Sequence, residues 1–277
     1  MADFVDQRAR VAAVFDRAAE TYDRVGVVMF QPIAARLVAE LQPQVGERIL
    51  DMGCGRGAVL LPLAGAVAPT GHATGLDLAP QMVAAAAAEA ARAGLAVDVV
   101  VGDAQEPALP KQSFDALASS LVLFFLPDPA AALRAWRELL VDGGRIAVST
   151  FGSYSEAWEP VDAVFGPYLP PGMRDARTTG KEGPFASDAG VERLLSDAGF
   201  TDVRTVRGSV PVRFDDADHW HRWTMSTGQR FMWGLVPDAE RAAVRARASA
   251  AALDTRRDNA DGRIGFDQQV RYTFGRR

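Results

Sequence analysis

Arg48-Ile49-Leu50-Asp51-Met52-Gly53-Cys54-Gly55-Arg56-Gly57 is the stretch that decides the fold. Ile49 and Leu50 sit inside a short strand, the glycines make a turn, and a helix follows to about Ala68. The same unit recurs downstream. Ala73–Asp77 reads as a second strand, followed by a helix with Pro80 in its first turn and Gly94 past its end. Val97–Val101 is a third, β-branched strand, and Phe114–Ser120 a fourth that runs into the apolar Leu121–Leu126. Asp128-Pro129 then opens a helix expected to stop at Gly143-Gly144, before a fifth strand over 145–151. Strands alternating with helices of this length build right-handed βαβ units, so the class is α/β with a mostly parallel sheet covered on both faces.

Outward from this core, residues 8–42 read as two helices joined by a turn at Tyr22–Gly26, within an amino-terminal helical cover over 1–45. The core spans 46–151. Residues 152–277 complete the sheet, with strands at 203–214 and 262–274, and carry cap insertions at about 152–185 and 215–260. Of 277 residues, 48% are hydrophobic and 23% charged, the balance of a globular enzyme rather than of a disordered or coiled-coil chain. The net charge of −5 leaves no basic field to hold a nucleic-acid backbone. A lone cysteine, Cys54, excludes an internal disulfide framework. The start MADFVDQRAR has no apolar stretch of signal type, and the longest apolar run is too short to span a bilayer. A cytoplasmic protein with no membrane partner is expected, with homodimer formation left open.

The chemistry concentrates at the ends of the first three strands. Asp51, Asp77 and Asp103 each close or follow one of them, and in a parallel sheet those ends line one crevice. The turn is G-x-G-x-G, without the third glycine of dinucleotide folds. A carboxylate beside the turn opposes phosphates and favours a cation. Asp77 is placed to hold a ribose diol and Asp103 to accept from an adenine amino group. A cationic, ribose- and adenine-bearing ligand without a pyrophosphate, S-adenosylmethionine, suits this set better than NAD.

ILDMGCGRG at 49–57, GLDLAPQMV at 75–83, VGDAQEPALP at 101–110 and the stretch 114–151 together resemble the class I S-adenosylmethionine-dependent methyltransferases. FDRAAETYD at 15–23 looks like the subgroup that includes ubiquinone and menaquinone methyltransferases and natural-product tailoring enzymes. The resemblance implies a Rossmann-like sheet of seven strands with a helical cap. It implies a cofactor site of Tyr22, Asp51, Gly53, Cys54, Gly55, Asp77, Leu78, Met82, Gly102, Asp103, Ala104 and Ser119, with S-adenosylhomocysteine as product. Gly53 and Gly55 would wrap the methionine moiety, Ser119 would lie near the reacting methyl, and Tyr22 would close over the cofactor unless it is simply a packed aromatic. Where relatives often have a histidine, Leu123-Phe124-Phe125 stands here, so none is carried over.

The expected reaction is methyl transfer to an oxygen of a small, moderately apolar molecule, a natural-product intermediate. The alternatives are transfer to carbon, or a non-methylating reaction such as a cyclisation on the same fold. Trp220, Trp223, Phe231 and Trp233 are expected to wall the acceptor pocket, the other reading being the core of a helical insertion. His219 and His221 are the candidate bases; helical spacing turns His219 toward the aromatic face and His221 away. Asp215–His221 is not read as a metal site, because histidines two apart do not share a helix face.

Overall fold

The computed structural model describes residues 2–154, 156–169 and 183–277, with the backbone alone at 2–7, 153 and 154. Of the expected cap segment at 152–185, residues 155 and 170–182 thus lie outside the described residues. Seven strands form one sheet: β1 (Arg48–Met52), β2 (His72–Asp77), β3 (Val97–Val101), β4 (Phe114–Ser120), β5 (Leu140–Tyr154), β6 (Thr201–Phe214) and β7 (Ile264–Arg276). Their order is β3-β2-β1-β4-β5-β7-β6, with only β7 antiparallel to its neighbours.

Burial explains the strand sequences. β1 is central, paired on both sides, and all but its first residue are buried. β3 is the edge, and its Val101 remains 57% exposed. From β1 the chain adds β2 and β3 on one side and then crosses to add β4 on the other, and this switch of side is where the carboxyl ends of such a sheet open a crevice.

Helices α2 (Phe30–Leu41), α3 (Leu60–Val67), α4 (Pro80–Ala93) and α5 (Pro129–Leu139) cover the sheet. The signals read from sequence work locally. Gly94 ends α4 at φ +67, and the Asp128 carboxylate accepts from the Ala131 amide at 2.8 Å to cap α5. Trp136 of α5 is fully buried, with its indole N–H donating to the Ala104 carbonyl at 2.7 Å. The end of α5 differs from expectation. It stops at Leu139, and Gly143, at φ +76, belongs to a bulge in β5 between the pairings Phe114↔Leu140 and Ala116↔Arg145.

Helix α1 (Ala2–Ala18) packs on α4 and reaches, through Arg8, Asp103 just beyond the carboxyl end of β3. The cap is built from α6 (Glu159–Ala163), α8 (Ala217–Met225), α9 (Arg230–Leu235) and α10 (Arg241–Asp254), with α10 packed on α6 and α8. Helix α7 (Asp188–Asp197) returns to the core and packs on α5.

Candidate cofactor and acceptor site

The glycine turn is shaped by close approach. At Gly53, with φ +76, a Cβ would stand 2.3 Å from Cγ2 of Val122, in the loop after β4. Any side chain there collides, so glycine is required twice over. The Gly53 and Cys54 amides both donate to the Leu76 carbonyl, at 2.7 and 3.0 Å, which pins the end of β1 to β2. Gly55, at φ +51, turns its amide to Asp77 Oδ2 at 2.8 Å, while the Ala79 amide reaches Oδ1 at 2.9 Å. Asp77 therefore links the turn to the head of α4. Burial pushes its carboxyl above the usual range.

Asp51 is the anomaly of the site. It is 1% exposed, and neither carboxylate oxygen has an aligned hydrogen-bond partner, the Leu60 amide alone standing near enough to favour its ionised form. Burial and the neighbouring Asp77 push its pKa up to about 8. A buried carboxylate costs free energy, which a bound proton relieves in the donor-free protein and a cation would relieve in its place. Asp103 is the third member: its Oδ1 accepts from the Gln105 amide at 2.8 Å, and Arg8 of α1 stands 2.7 Å from Oδ2 in charge contact without an aligned hydrogen bond. Gly102 donates to the Asp77 carbonyl at 2.9 Å, and Ala104 beside it is buried. The three acids predicted from sequence thus stand along one crevice.

The remaining expected residues gather around them. Met82 packs with Ala79, Ala19, Phe15 and Tyr22; Leu78 is half-buried. Tyr22 stacks on Phe30 at 4.9 Å between ring centres. Burial, then Asp23 and Asp77, raises its phenol pKa, so the ring stays protonated. Cys54 is buried and its thiol pKa pushed up by that burial, the opposite of an activated nucleophile. Ser119 spends its hydroxyl on the Met52 carbonyl at 2.8 Å, tying β4 to β1.

Three features were not legible beforehand. Arg8 reaches Asp103. Arg56 donates to the Ala19 carbonyl and, at 2.7 Å, to Glu89, so the turn itself grips α1 and α4. An aromatic wall joins Phe124 and Phe125, in the loop after β4, to Phe151 near the end of β5, with Phe15 set edge-on to Phe125 at 5.5 Å. The apolar run 121–126 was its only signal, and it reads equally well as an extension of a strand.

The cap corrects several expectations. Trp220 and Trp223 are 1% and 3% exposed and pack with Trp158, Phe214 and Phe266, so they are core and not pocket wall. Phe231 and Trp233 do line a cavity, between α1 and the cap. The two histidines exchange places. His219 is 4% exposed; its Nδ1 accepts from the Asp215 amide at 3.2 Å, and its Nε2 lies 2.7 Å from the Val25 carbonyl. Because a carbonyl can only accept, Nε2 carries the proton, and both nitrogens are engaged within the protein. His221 instead faces the cavity, edge-on to Trp233, its pKa lowered by burial and Arg245. Among the described residues no cluster of His, Cys, Asp and Glu is arranged to hold a metal, and no helix is long and apolar enough to cross a membrane.

Residues 50–148 match the family described as Methyltransferase domain. Over 275 residues the chain is 38% identical to nocamycin O-methyltransferase of Saccharothrix syringae, covering 95% of this chain and 97% of that protein. The chain belongs to the methyltransferase family. It is also 43% identical over 144 residues to an aklanonic acid methyltransferase of a Streptomyces species, covering 52% of this chain and 66% of that one. The crystal structure of the YcgJ protein of Bacillus subtilis shares the fold, with a TM-score of 0.60 at 16% identity over 89% of this chain and 98% of that one. The chain is accordingly a methyltransferase. Its own residues fit S-adenosylmethionine as donor: a buried Asp51 carboxyl beside Asp77 suits a cationic ligand, and S-adenosylmethionine carries a sulfonium and an ammonium.

Proposed function

We propose that this protein transfers the methyl group of S-adenosylmethionine to an oxygen of a small, moderately apolar natural-product intermediate. The observation that carries the reading is the buried Asp51 beside Asp77 at the carboxyl ends of β1 and β2, with a cluster of phenylalanines, Phe124 and Phe125, in the loop after β4. A cofactor cation satisfies the first, and an apolar acceptor the second. Oxygen as the acceptor atom is supported by the full-length likeness to an O-methyltransferase.

In this reading Asp77 accepts from the ribose hydroxyls and Asp103 from the adenine amino group once Arg8 releases it. The backbone at Gly53, Cys54 and Gly55 lets the methionine portion approach Asp51. Leu78, Met82, Gly102 and Ala104 bound the adenosine, Ser119 holds the floor of the crevice at Met52, and Tyr22 closes it beneath α1. When bound, the donor supplies a methyl already made electrophilic by its sulfonium. The protein contributes orientation and exclusion of water. His219 supports the lid and takes no proton from the acceptor. The amino-terminal helices then act as cover, 46–151 as the donor-binding core, and the segments around 152–185 and 215–260 as cap.

The test is turnover with donor carrying a ¹³C-methyl label and a panel of aromatic hydroxy acids. Release of S-adenosylhomocysteine with the label on oxygen supports the reading. Label on carbon, or binding without turnover across the panel, defeats it.

A further inference from the structure

Glu89 is the one polar side chain between Ala84 and Ala91, far from the first turn of α4, where the helix dipole would call for an acid. Three guanidinium groups meet on it. Arg56 and Arg24 both donate to Oε1, Arg56 at 2.7 Å, and Arg92 donates to Oε2. Arg92 belongs to the next turn of α4 and makes an ordinary i,i+3 pair. The other two arrive from elsewhere. Arg56 lies in the glycine turn, between Gly55 and Gly57, and Arg24 in the stretch after α1 that carries Tyr22. Arg92, then Arg56 and Arg24, hold the Glu89 pKa down to about 2, so the carboxylate stays charged at neutral pH.

The two long-range arms bracket Tyr22. Arg56 also donates to the carbonyl of Ala19, before that tyrosine in the chain, and Arg24 stands after it. Tyr22 packs on the cluster of Ala79 and Met82, just beyond Asp77. Whatever grips the chain on both sides of Tyr22 therefore fixes its ring beside the acids of the crevice. The end of α1 is not close-packed on α4. A cavity of about 510 Å³ lies between them, bounded by Asp16, Ala19, Arg56, Gln81, Ala84 and Ala85. Polar ties carry much of the hold: Asp16 accepts from the Gln81 amide at 2.9 Å, and the Glu89 cluster secures the chain beyond it.

We propose that Glu89 is a positioning residue: its clasp on Arg56 and Arg24 governs how often the Tyr22 turn lifts, and so how fast donor enters and product leaves. The inference rests on the reading that S-adenosylmethionine binds at Asp51, Asp77 and Asp103. Every contact of the clasp is between groups of the chain itself, so it forms with the crevice filled or empty. An interaction equal in both states cancels from affinity and acts on rates alone. His219 still fixes Val25 from the cap, which keeps the turn's resting shape when the clasp is cut.

The probe is S-adenosylhomocysteine, which has no net charge at neutral pH and so is not steered by a change of charge at position 89. Surface plasmon resonance over the immobilised full chain reads its association and dissociation rates. Glu89→Ala extends a run of alanines and suits the helix. It is expected to raise both rates about tenfold, with Kd within about twofold of wild type. Arg24→Gln, at an exposed side chain, should move both rates the same way by less. Arg92→Gln, which takes a charge from Glu89 without touching the turn, should leave both alone. Unchanged rates in Glu89→Ala, a rise in dissociation alone, or equal effects of the Arg24 and Arg92 substitutions overturn the clasp. Should Glu89→Ala fail to fold, the contrast between the two arginine variants decides. A wild-type chain that does not bind S-adenosylhomocysteine defeats the donor reading itself, whereas every failure of the clasp alone leaves that binding in place.

Discussion

Nε2 of His219 donates to the carbonyl of Val25 across 2.7 Å, joining the first helix of the second cap segment to the turn that carries Tyr22. This bond spans 194 positions of sequence and couples the cap to the cover over the cofactor. His219→Ala leaves the Val25 carbonyl and the Asp215 amide without their partner. Buried groups stranded in this way cost about 1–3 kcal/mol each. The expected result is a lowered melting temperature and a raised KM for the donor, with the acid limb of the kcat profile unmoved. An unchanged melting temperature with that limb abolished would return His219 to the role of base.

The raised pKa of Asp51 makes a prediction about protons. In the folded, donor-free protein the group titrates at about 8, against about 3.9 in an unfolded chain. Between those values the native state holds the proton and the unfolded state does not, so its contribution to stability falls as pH rises through that window. Donor-free protein should lose melting temperature from pH 5 to pH 8, and Asp51→Asn should lose less. A cationic donor favours the ionised carboxylate, so binding at pH 7 should release about one proton per site. Calorimetry in two buffers of different ionisation enthalpy measures the release; zero release with parallel melting curves would refute the assignment.

Asp77 accepts from two protein amides before any ligand arrives, at 2.8 and 2.9 Å. Asp77→Ala should therefore weaken donor binding both by loss of the ribose contacts, at about 1.5–3 kcal/mol for each bond to a charged group, and by loosening the turn at Gly55. Asp77→Asn, which retains one carbonyl acceptor, should fall between. Titration calorimetry with S-adenosylhomocysteine on folded variants reads both, and an undiminished affinity in the alanine variant rules out the ribose role.

Gly53 and Val122 form a pair that a double-mutant cycle can expose. Gly53→Ala places a methyl 2.3 Å from Val122 Cγ2 at a positive φ. Val122→Ala removes both γ-methyls but leaves a tight Cβ at 3.2 Å and about 1–2 kcal/mol of left-handed strain. Urea unfolding should show the double variant more stable than Gly53→Ala alone and less stable than Val122→Ala. Simple additivity would mean that the two residues do not meet.

How far the sequence could be read follows from what each residue's signal depends on. Ile49 and Leu50, Ala73, and Leu117 sit in strands buried on both faces, and that burial forces continuous apolar runs which announce themselves. Asp51, Asp77 and Asp103 were legible because strand ends in a parallel sheet must converge. The cap was opaque for a different reason. Trp220 and Trp223 repeat with helical period, and the period is the same whether a helix faces a pocket or a core; only Trp158 and Phe266, far away in sequence, settle which. His219 suffered likewise, since its partner at Val25 lies across the whole domain. Arg8 meets Asp103 through the placement of α1, which no local pattern encodes.

The pairing of Phe214 with Ile264 has a consequence for how such a chain can change over time. Adjacent antiparallel strands are the two doorposts through which residues 215–263 leave the sheet and return to it. Chain length between fixed doorposts is cheap to vary, since each doubling of a closed loop costs only about 0.6 kcal/mol. The excursion can thus be lengthened, trimmed or exchanged as a single cassette, with the register of all seven strands left as it is, so long as the replacement keeps a hydrogen-bond donor for the Val25 carbonyl. Selectivity for new acceptors can then diversify at one locus of the gene while the methyl-donating machinery is inherited intact.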